Sequence, residues 1–175
     1  MTRSFTSAAT LDDALAAMAD GARPVAGGTD LVVGARQGKA PLPEAIVAID
    51  RIDGLRALEV SDGGLRLGTL VTHGDLTASD EIRTRYTALA DASAIVGSHA
   101  TRAQGTIGGN VMNASPAMET GGPLICFEAT VTLRSAVGTC GGSPTPFEPR
   151  GPALWVGICT QSTSISGASE LVISL

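Results

Sequence analysis

The sequence predicts an α+β fold, built as one domain or as two small subdomains sharing a cleft. Three observations point there. The chain has 175 residues, enough to bury roughly 70% of its unfolded surface in one core without a disulfide or metal staple. Residues 1–50 read as helix, strand, glycine-rich loop, helix and strand. Residues 55–70 change to the period-two pattern of a β-hairpin. We therefore divide the chain into 1–54 and 55–175. Hydrophobic residues make up 43% and charged residues 17%, which excludes a disordered chain.

The elements follow in order. Residues 10–20 read as a helix, with Leu11, Ala14, Leu15 and Met18 forming an apolar stripe. Thr10 is its expected N-cap, Asp13 completes a capping box, and Gly21 suits the C′ position. A short strand over 23–26 leads through Gly27-Gly28-Thr29-Asp30 into a helical turn over 31–37, and a second strand covers 45–49. Leu58 and Val60, then Leu65 and Leu67, alternate with polar residues around Asp62-Gly63-Gly64, a hairpin signal. Residues 70–76 lead into a second helical region. Asp80 is the expected cap of a helix running towards Val96, with Ile82, Tyr86, Leu89 and Ala90 on one face. A second glycine cluster spans 105–110. Residues 124–134 contain a strand in which Ala129, Val131 and Leu133 alternate, and 170–175 read as the start of another.

Residues 137–169 break this pattern. They hold only two charged residues, Glu148 and Arg150, but four Pro, six Gly and the only Trp. No element can be placed there, and a shifted reading frame or a divergent insert is the expectation.

Charge and composition exclude several functions. A net charge of −5 argues against nucleic-acid binding, which needs Lys and Arg to neutralise phosphates. At 3% aromatic residues, base-stacking platforms are not expected. Cys126, Cys140 and Cys159 form no C-x-x-C pair, so no disulfide framework, zinc site or iron–sulfur site is expected. No apolar run approaches the ~20 residues of a membrane span. The N-terminus lacks a secretory signal pattern, so a cytoplasmic protein is expected.

Chemistry concentrates in two glycine loops. In the first, Val25-Ala26-Gly27-Gly28-Thr29-Asp30-Leu31, a strand runs through two glycines and a hydroxyl into a helix start. Glycines let backbone N–H groups approach a phosphate, and a helix N-terminus adds partial positive charge. An acidic protein could hold a pyrophosphate this way. A plain tight turn is the alternative. The loop is neither G-x-G-x-x-G nor a Walker A sequence. The second, Gly105-Thr106-Ile107-Gly108-Gly109-Asn110, continues into Val111-Met112-Asn113-Ala114-Ser115-Pro116. Two loops of the same chemistry, about 80 residues apart, suggest one shared ligand with two phosphates.

AGGTDL at 26–31, and TIGGN at 106–110 followed by NASP at 113–116, resemble the two flavin-binding signatures of the FAD subunit of molybdenum hydroxylases, the xanthine and carbon monoxide dehydrogenase type. IVAIDRI (46–52), LRLGTLVTHGDL (65–76) and GGPLICFEATVTL (121–133) resemble the family too, so the likeness runs from residue 4 to about 136. It implies an α+β FAD-binding fold of two subdomains (the PCMH type) with the flavin between them. By resemblance, Pro24, Val25, Ala26, Gly27, Gly28, Thr29, Asp30 and Leu31 form the first pyrophosphate stretch. Thr106, Ile107, Gly108, Gly109 and Asn110 form the second, with Val96 the apolar position before it. Glu119 falls where relatives often carry an Asp that contacts the adenosine end. Val172 matches a position near the flavin ring.

The resemblance also implies partners. A molybdopterin-binding large subunit and an iron–sulfur small subunit would complete a heteromer, because no residue here resembles a ligand of either centre. Electrons would pass from the iron–sulfur clusters through FAD to NAD, a quinone or O2. Relatives continue well beyond 175 residues, so the family's C-terminal domain is expected to be missing. That raises an alternative: a truncated, non-catalytic remnant or assembly piece. A vanillyl-alcohol-type flavin oxidase shares the broad fold, but this length leaves no room for its substrate domain.

The remaining candidates are weaker. His73 and His99 lack further ligands at metal spacing, and structural roles are expected for both; His99 could also hydrogen-bond near the flavin. No G-x-S-x-G elbow accompanies Ser98, Ser115 or Thr106. No catalytic residue is assigned, since the flavin carries the chemistry.

Overall fold

The computed structural model describes residues 3–135, 138–142 and 170–174. The first part is a parallel three-stranded sheet with strand order β1-β3-β2. Its elements are β1 (Ser4–Ser7), α1 (Leu11–Ala19), β2 (Arg23–Val25), α2 (Thr29–Arg36) and β3 (Ala45–Ala48). β1 carries no apolar alternation and sits on the sheet edge with Phe5 exposed, so nothing in the sequence marked it as a strand. α1 has the expected capping box: Asp13 N–H donates to Thr10 Oγ1 at 3.1 Å, and Thr10 N–H to Asp13 Oδ2 at 3.2 Å. Gly21, at φ 91°, ends it. Its N–H donates to the Met18 carbonyl and that of Ala22 to the Ala17 carbonyl, closing a Schellman motif.

The second part is a five-stranded antiparallel sheet, order β4-β5-β8-β6-β7. Its strands are β4 (Leu58–Ser61), β5 (Gly64–Gly68), β6 (Thr130–Ser135), β7 (Gly138–Gly142) and β8 (Glu170–Ser174). The hairpin read at 58–67 is β4–β5, with Ser61 paired to Gly64. β8 pairs with both β5 and β6 and closes the sheet. β7 and β8 lie at either end of the unusual 137–169 stretch; the rest of that stretch lies outside the described residues.

Between β5 and β6 the chain inserts six short helices: α3 (His73–Ala78), α4 (Asp80–Arg85), α5 (Thr87–Ala94), α6 (His99–Gln104), α7 (Ile107–Asn113) and α8 (Gly121–Cys126). The segment read as one helix from Asp80 is two. Ser79, not Asp80, is the N-cap, its Oγ accepting from Ile82 N–H at 3.3 Å. Tyr86 breaks the run at φ −129°, ψ 45°. Its ring is buried edge-on against Phe127, centroids 5.5 Å apart. The apolar start of the segment read as a strand from Leu124 is α8, since a short apolar run does not distinguish strand from helix. Glu128, at φ 55°, ends α8 in a second Schellman motif, and β6 begins only at Thr130.

Two cores result. One contains Ala14, Met18, Val47, Ile49 and Ile52, and also takes in Leu55 and Leu70. The other joins Leu65 and Leu67 of β5 to Leu76, Ile82, Leu89, Ile107, Leu124 and Val131. Gly68 lets these halves meet. A Cβ there would lie against the Leu55 backbone, while Gly68 N–H donates to the Ala57 carbonyl and Leu70 N–H to that of Leu55, both at 2.8 Å.

Candidate functional site

The first glycine loop leaves β2 at Val25 and turns into α2 through Ala26, Gly27 and Gly28. Gly28 takes the left-handed conformation, φ 68° and ψ 6°, as a helix N-cap with no side chain to cap with. An L side chain there would be strained. The helix therefore begins at Thr29, two residues before the expected start. Among the described residues no acceptor faces the N–H groups of Gly28, Thr29, Asp30 or Leu31. These are the orphan donors of a helix N-terminus.

The second loop comes against the first. A Cβ on Gly27 would collide with the Gln104 carbonyl, and one on Gly105 would sit 3.4 Å from Thr29 Oγ1 and 3.4 Å from His73 Cδ2. Gly27 and Gly105 are thus glycines of close backbone approach, joining the ends of β2 and α6. His73, fully buried, lies beneath this seam with Nδ1 3.4 Å from Ser93 Oγ, and its N–H donates to the Gly105 carbonyl at 3.0 Å. Burial pushes its pKa below the ordinary 6.5; Glu119 opposes that shift and Arg102 adds to it. The structural role expected of His73 has a specific content here: it props the second loop. His99 is exposed.

Unlike the first, the second loop is not an open nest of N–H groups. It is the capped start of α7. Gly109 N–H donates to Thr106 Oγ1 at 3.0 Å, Asn110 N–H to the Thr106 carbonyl, Ile107 N–H to that of Val71 and Gly108 N–H to that of Thr69. Gly108 is buried, and a Cβ on it would run into Thr69. So the first glycine of the TIGGN pair, Gly108, serves backbone packing in the fold itself, whereas a Cβ on Gly109 would meet only the capping Thr106 Oγ1.

Past that turn, Asn110 reaches residues after α7. Thr120 Oγ1 donates to Asn110 Oδ1 at 2.6 Å, and Asn110 Nδ2 donates to Glu119 Oε2 at 3.4 Å. Val96 is buried in the turn after α5, and Arg102 Nη1 donates to its carbonyl and to that of Gly97, each at 3.1 Å. α6, which carries Arg102, runs directly into Gly105.

The structure therefore brings Gly27 and Thr29 to the second loop at Gly105, and Asn110 to Glu119. Pro24 lies in β2, paired with Val47 of β3. Val96 joins the site at one remove, through Arg102. Sequence reading did not single out Thr69, Arg102, Gln104 or Thr120, which shape the second loop. Ser98 before a polar run, with Thr101 three residues on, is the capping signal that could have placed α6.

Comparison with known proteins agrees with this architecture. The sequence pattern of the FAD-binding domain in molybdopterin dehydrogenase matches residues 1–141. The medium chain of glyceraldehyde dehydrogenase from Sulfolobus acidocaldarius is 31% identical over 120 residues, 69% of this chain and 42% of that one. The alpha subunit of the 6-hydroxypseudooxynicotine dehydrogenase complex from Paenarthrobacter nicotinovorans is 34% identical over 133 residues, 73% of this chain and 44% of that one. The chain thus spans less than half the length of these relatives. The same fold occurs in quinoline 2-oxidoreductase from Pseudomonas putida 86, with a TM-score of 0.84 at 22% identity over 100% of this chain and 59% of that one. CO dehydrogenase from Oligotropha carboxidovorans gives a TM-score of 0.82 at 21% identity, covering 99% of this chain and 59% of that one. With both glycine loops inside the matched region, the chain belongs to the family of FAD-binding domains in molybdopterin dehydrogenases.

Proposed function

We propose that this chain is the flavin-binding part of a cytoplasmic molybdenum-containing hydroxylase or dehydrogenase, with FAD held where its two glycine loops meet. The observation that carries the placement is the set of unpartnered N–H groups from Gly28 to Leu31 at the seam with Gly105. Four donors at the positive end of an eight-residue helix suit a pyrophosphate oxygen. The donor chemistry fits the group without calling on a basic patch in this acidic chain. Pro24, Val25, Ala26 and Gly27 bring the backbone to that point. Thr106, Ile107, Gly108, Gly109 and Asn110 form the opposing wall, Val96 lies behind it, and Glu119 offers a carboxylate acceptor beyond.

When bound, FAD supplies an exchange of electrons between a one-electron and a two-electron side. In this reading the donor is an iron–sulfur small subunit served by a molybdopterin-binding large subunit, and the acceptor is NAD, a quinone or O2. The relatives named as a medium chain and as a subunit of a complex support a heteromer. Among the described residues no helix is long and apolar enough to cross a membrane.

The test is reconstitution. The purified full chain is mixed with FAD, desalted, and its visible spectrum recorded beside that of Thr29→Glu. An acid at the first helical position favours the helix, so the variant folds, but its charge repels a pyrophosphate. Retained flavin absorbance in the parent that is lost in the variant supports the site. Equal retention by both would move the flavin elsewhere, and a folded parent that retains none would favour the truncated-remnant reading.

A further inference from the structure

We infer that Thr120 is a positioning residue that acts through Asn110 on Glu119, and so sets the acceptor this site offers to its ligand. The inference rests on the FAD reading for its consequence, but its geometry stands apart. An Asn amide is symmetrical in shape and opposite in chemistry at its two ends. A carboxylate can only accept, so Asn110 must turn Nδ2 towards Glu119 Oε2, 3.4 Å away. That leaves Oδ1 facing Thr120, whose hydroxyl donates to it at 2.6 Å. Thr120 is fully buried, so its hydroxyl has no water to turn to. The carboxylate fixes which way the amide faces; the threonine hydroxyl, donating to Oδ1, then holds that end of the amide in place, and the amide in turn restrains one carboxylate oxygen. The other, Oε1, has no hydrogen-bond partner among the described residues and can accept from a hydroxyl or N–H donor of a ligand.

Among the described residues no backbone hydrogen bond joins Glu119 to α7. Asn110 lies within α7, and Glu119 and Thr120 lie after it in the approach to α8, nine and ten residues on. The connection between these helices is irregular: Ala114 closes α7 at φ 47° and Thr120 precedes α8 without capping it. Met118 packs against the core that holds Ile107 and Val111 of α7, but among the described residues the side-chain relay is what hydrogen-bonds the Glu119 carboxylate to that helix.

A double-mutant cycle in FAD affinity, on the full chain, tests the relay. Thr120→Val keeps the shape and removes the donor. We expect it to weaken FAD binding roughly three- to tenfold. Glu119→Gln should do likewise, and the double variant should be little worse than the weaker single. Thr120→Ser should restore affinity. A purely structural threonine would lower the melting temperature and give additive losses in affinity, and that result would overturn the proposal.

A second measurement needs no flavin. In the apo chain, Glu119→Gln should shift the Asn110 side-chain amide proton resonances, and should shift them much less in a Thr120→Val background. Equal shifts in both backgrounds would overturn the relay whether or not FAD binds. Failure of the parent to bind FAD would strike the cofactor reading alone, and this second measurement would still decide the relay.

Discussion

Gly108 and Gly109 are neighbours in the first turn of α7 with opposite surroundings, and replacing each by alanine should separate them sharply. A Cβ on Gly108 would strike Thr69 Oγ1, and would lie 2.7 Å from the Thr69 carbonyl oxygen and 2.8 Å from its Cα. The hydroxyl can rotate away, but the backbone cannot. Relief requires α7 to lift, lengthening the bonds from Gly108 N–H to the Thr69 carbonyl (3.1 Å) and from Ile107 N–H to the Val71 carbonyl (2.8 Å). Overpacking of this kind costs about 1–3 kcal/mol, and the two weakened hydrogen bonds add about 1–2 kcal/mol. The better helix propensity of alanine returns about 1 kcal/mol. Gly108→Ala should therefore destabilise the fold by about 1–4 kcal/mol, a substantial part of the 5–15 kcal/mol on the order of which small domains are stable. A Cβ on Gly109 meets only Thr106 Oγ1 at 3.1 Å. The capping hydroxyl must yield by a few tenths of an ångström, and the same propensity gain offsets the weakened cap. Gly109→Ala should stay within about 0.5–1 kcal/mol of the parent. Urea unfolding of the full chain, followed by far-ultraviolet circular dichroism, reads both. A Gly108→Ala variant as stable as the parent, or a Gly109→Ala variant equally damaged, would refute the packing account of the second loop.

Three further predictions concern the frame around the site. Gly34 lies inside α2 with open space where a Cβ would go, so Gly34→Ala should raise stability by about 0.5–1 kcal/mol; a loss in the urea midpoint would contradict it. Glu128 ends α8 at φ 55°, a conformation in which an L residue is strained by about 1 kcal/mol, and Glu128→Gly should raise the thermal midpoint, an unchanged or lower value being the contrary result. His73 has a folded-state pKa below 6.5 because it is buried, so the unfolded chain takes up a proton first as pH falls. Its contribution is full above about pH 6.5 and is lost as pH drops through and below that value. Urea midpoints compared between about pH 7.5 and 5.5 should fall less in His73→Gln than in the parent; equal falls would show that His73 does not carry the effect.

Much of the first half was legible because local rules decided it. The capping box at Thr10 and Asp13, the glycine stop at Gly21 and the alternation across β4 and β5 each fix an element from neighbouring residues. The first glycine loop was legible as a strand-to-helix turn. Its two-residue earlier start was not, because it depends on Gly28 adopting φ 68°. The second loop was read as a glycine cluster of the same chemistry as the first. What makes it α7 is the backbone of Thr69 and Val71, about 40 residues away in sequence, and no local pattern reports such a neighbour. β1 escaped for the related reason that its ladder comes wholly from β3. Tyr86 shows the converse: its apolar spacing fits one long helix, yet burial against Phe127 divides it. At the site, both loops and Glu119 could be named from the sequence, whereas the contact of Gly27 with Gln104 and the role of Thr120 exist only in three dimensions.

The central claim, that FAD sits where the first glycine loop opens α2 beside Gly105, is tested most directly by following backbone amide resonances of the labelled full chain during FAD addition. The four N–H groups of Gly28, Thr29, Asp30 and Leu31 should show the largest downfield shifts, with Gly105 and Glu119 also perturbed, and inorganic pyrophosphate alone should move the same four more weakly. Saturable FAD binding that leaves those four resonances in place would contradict the account.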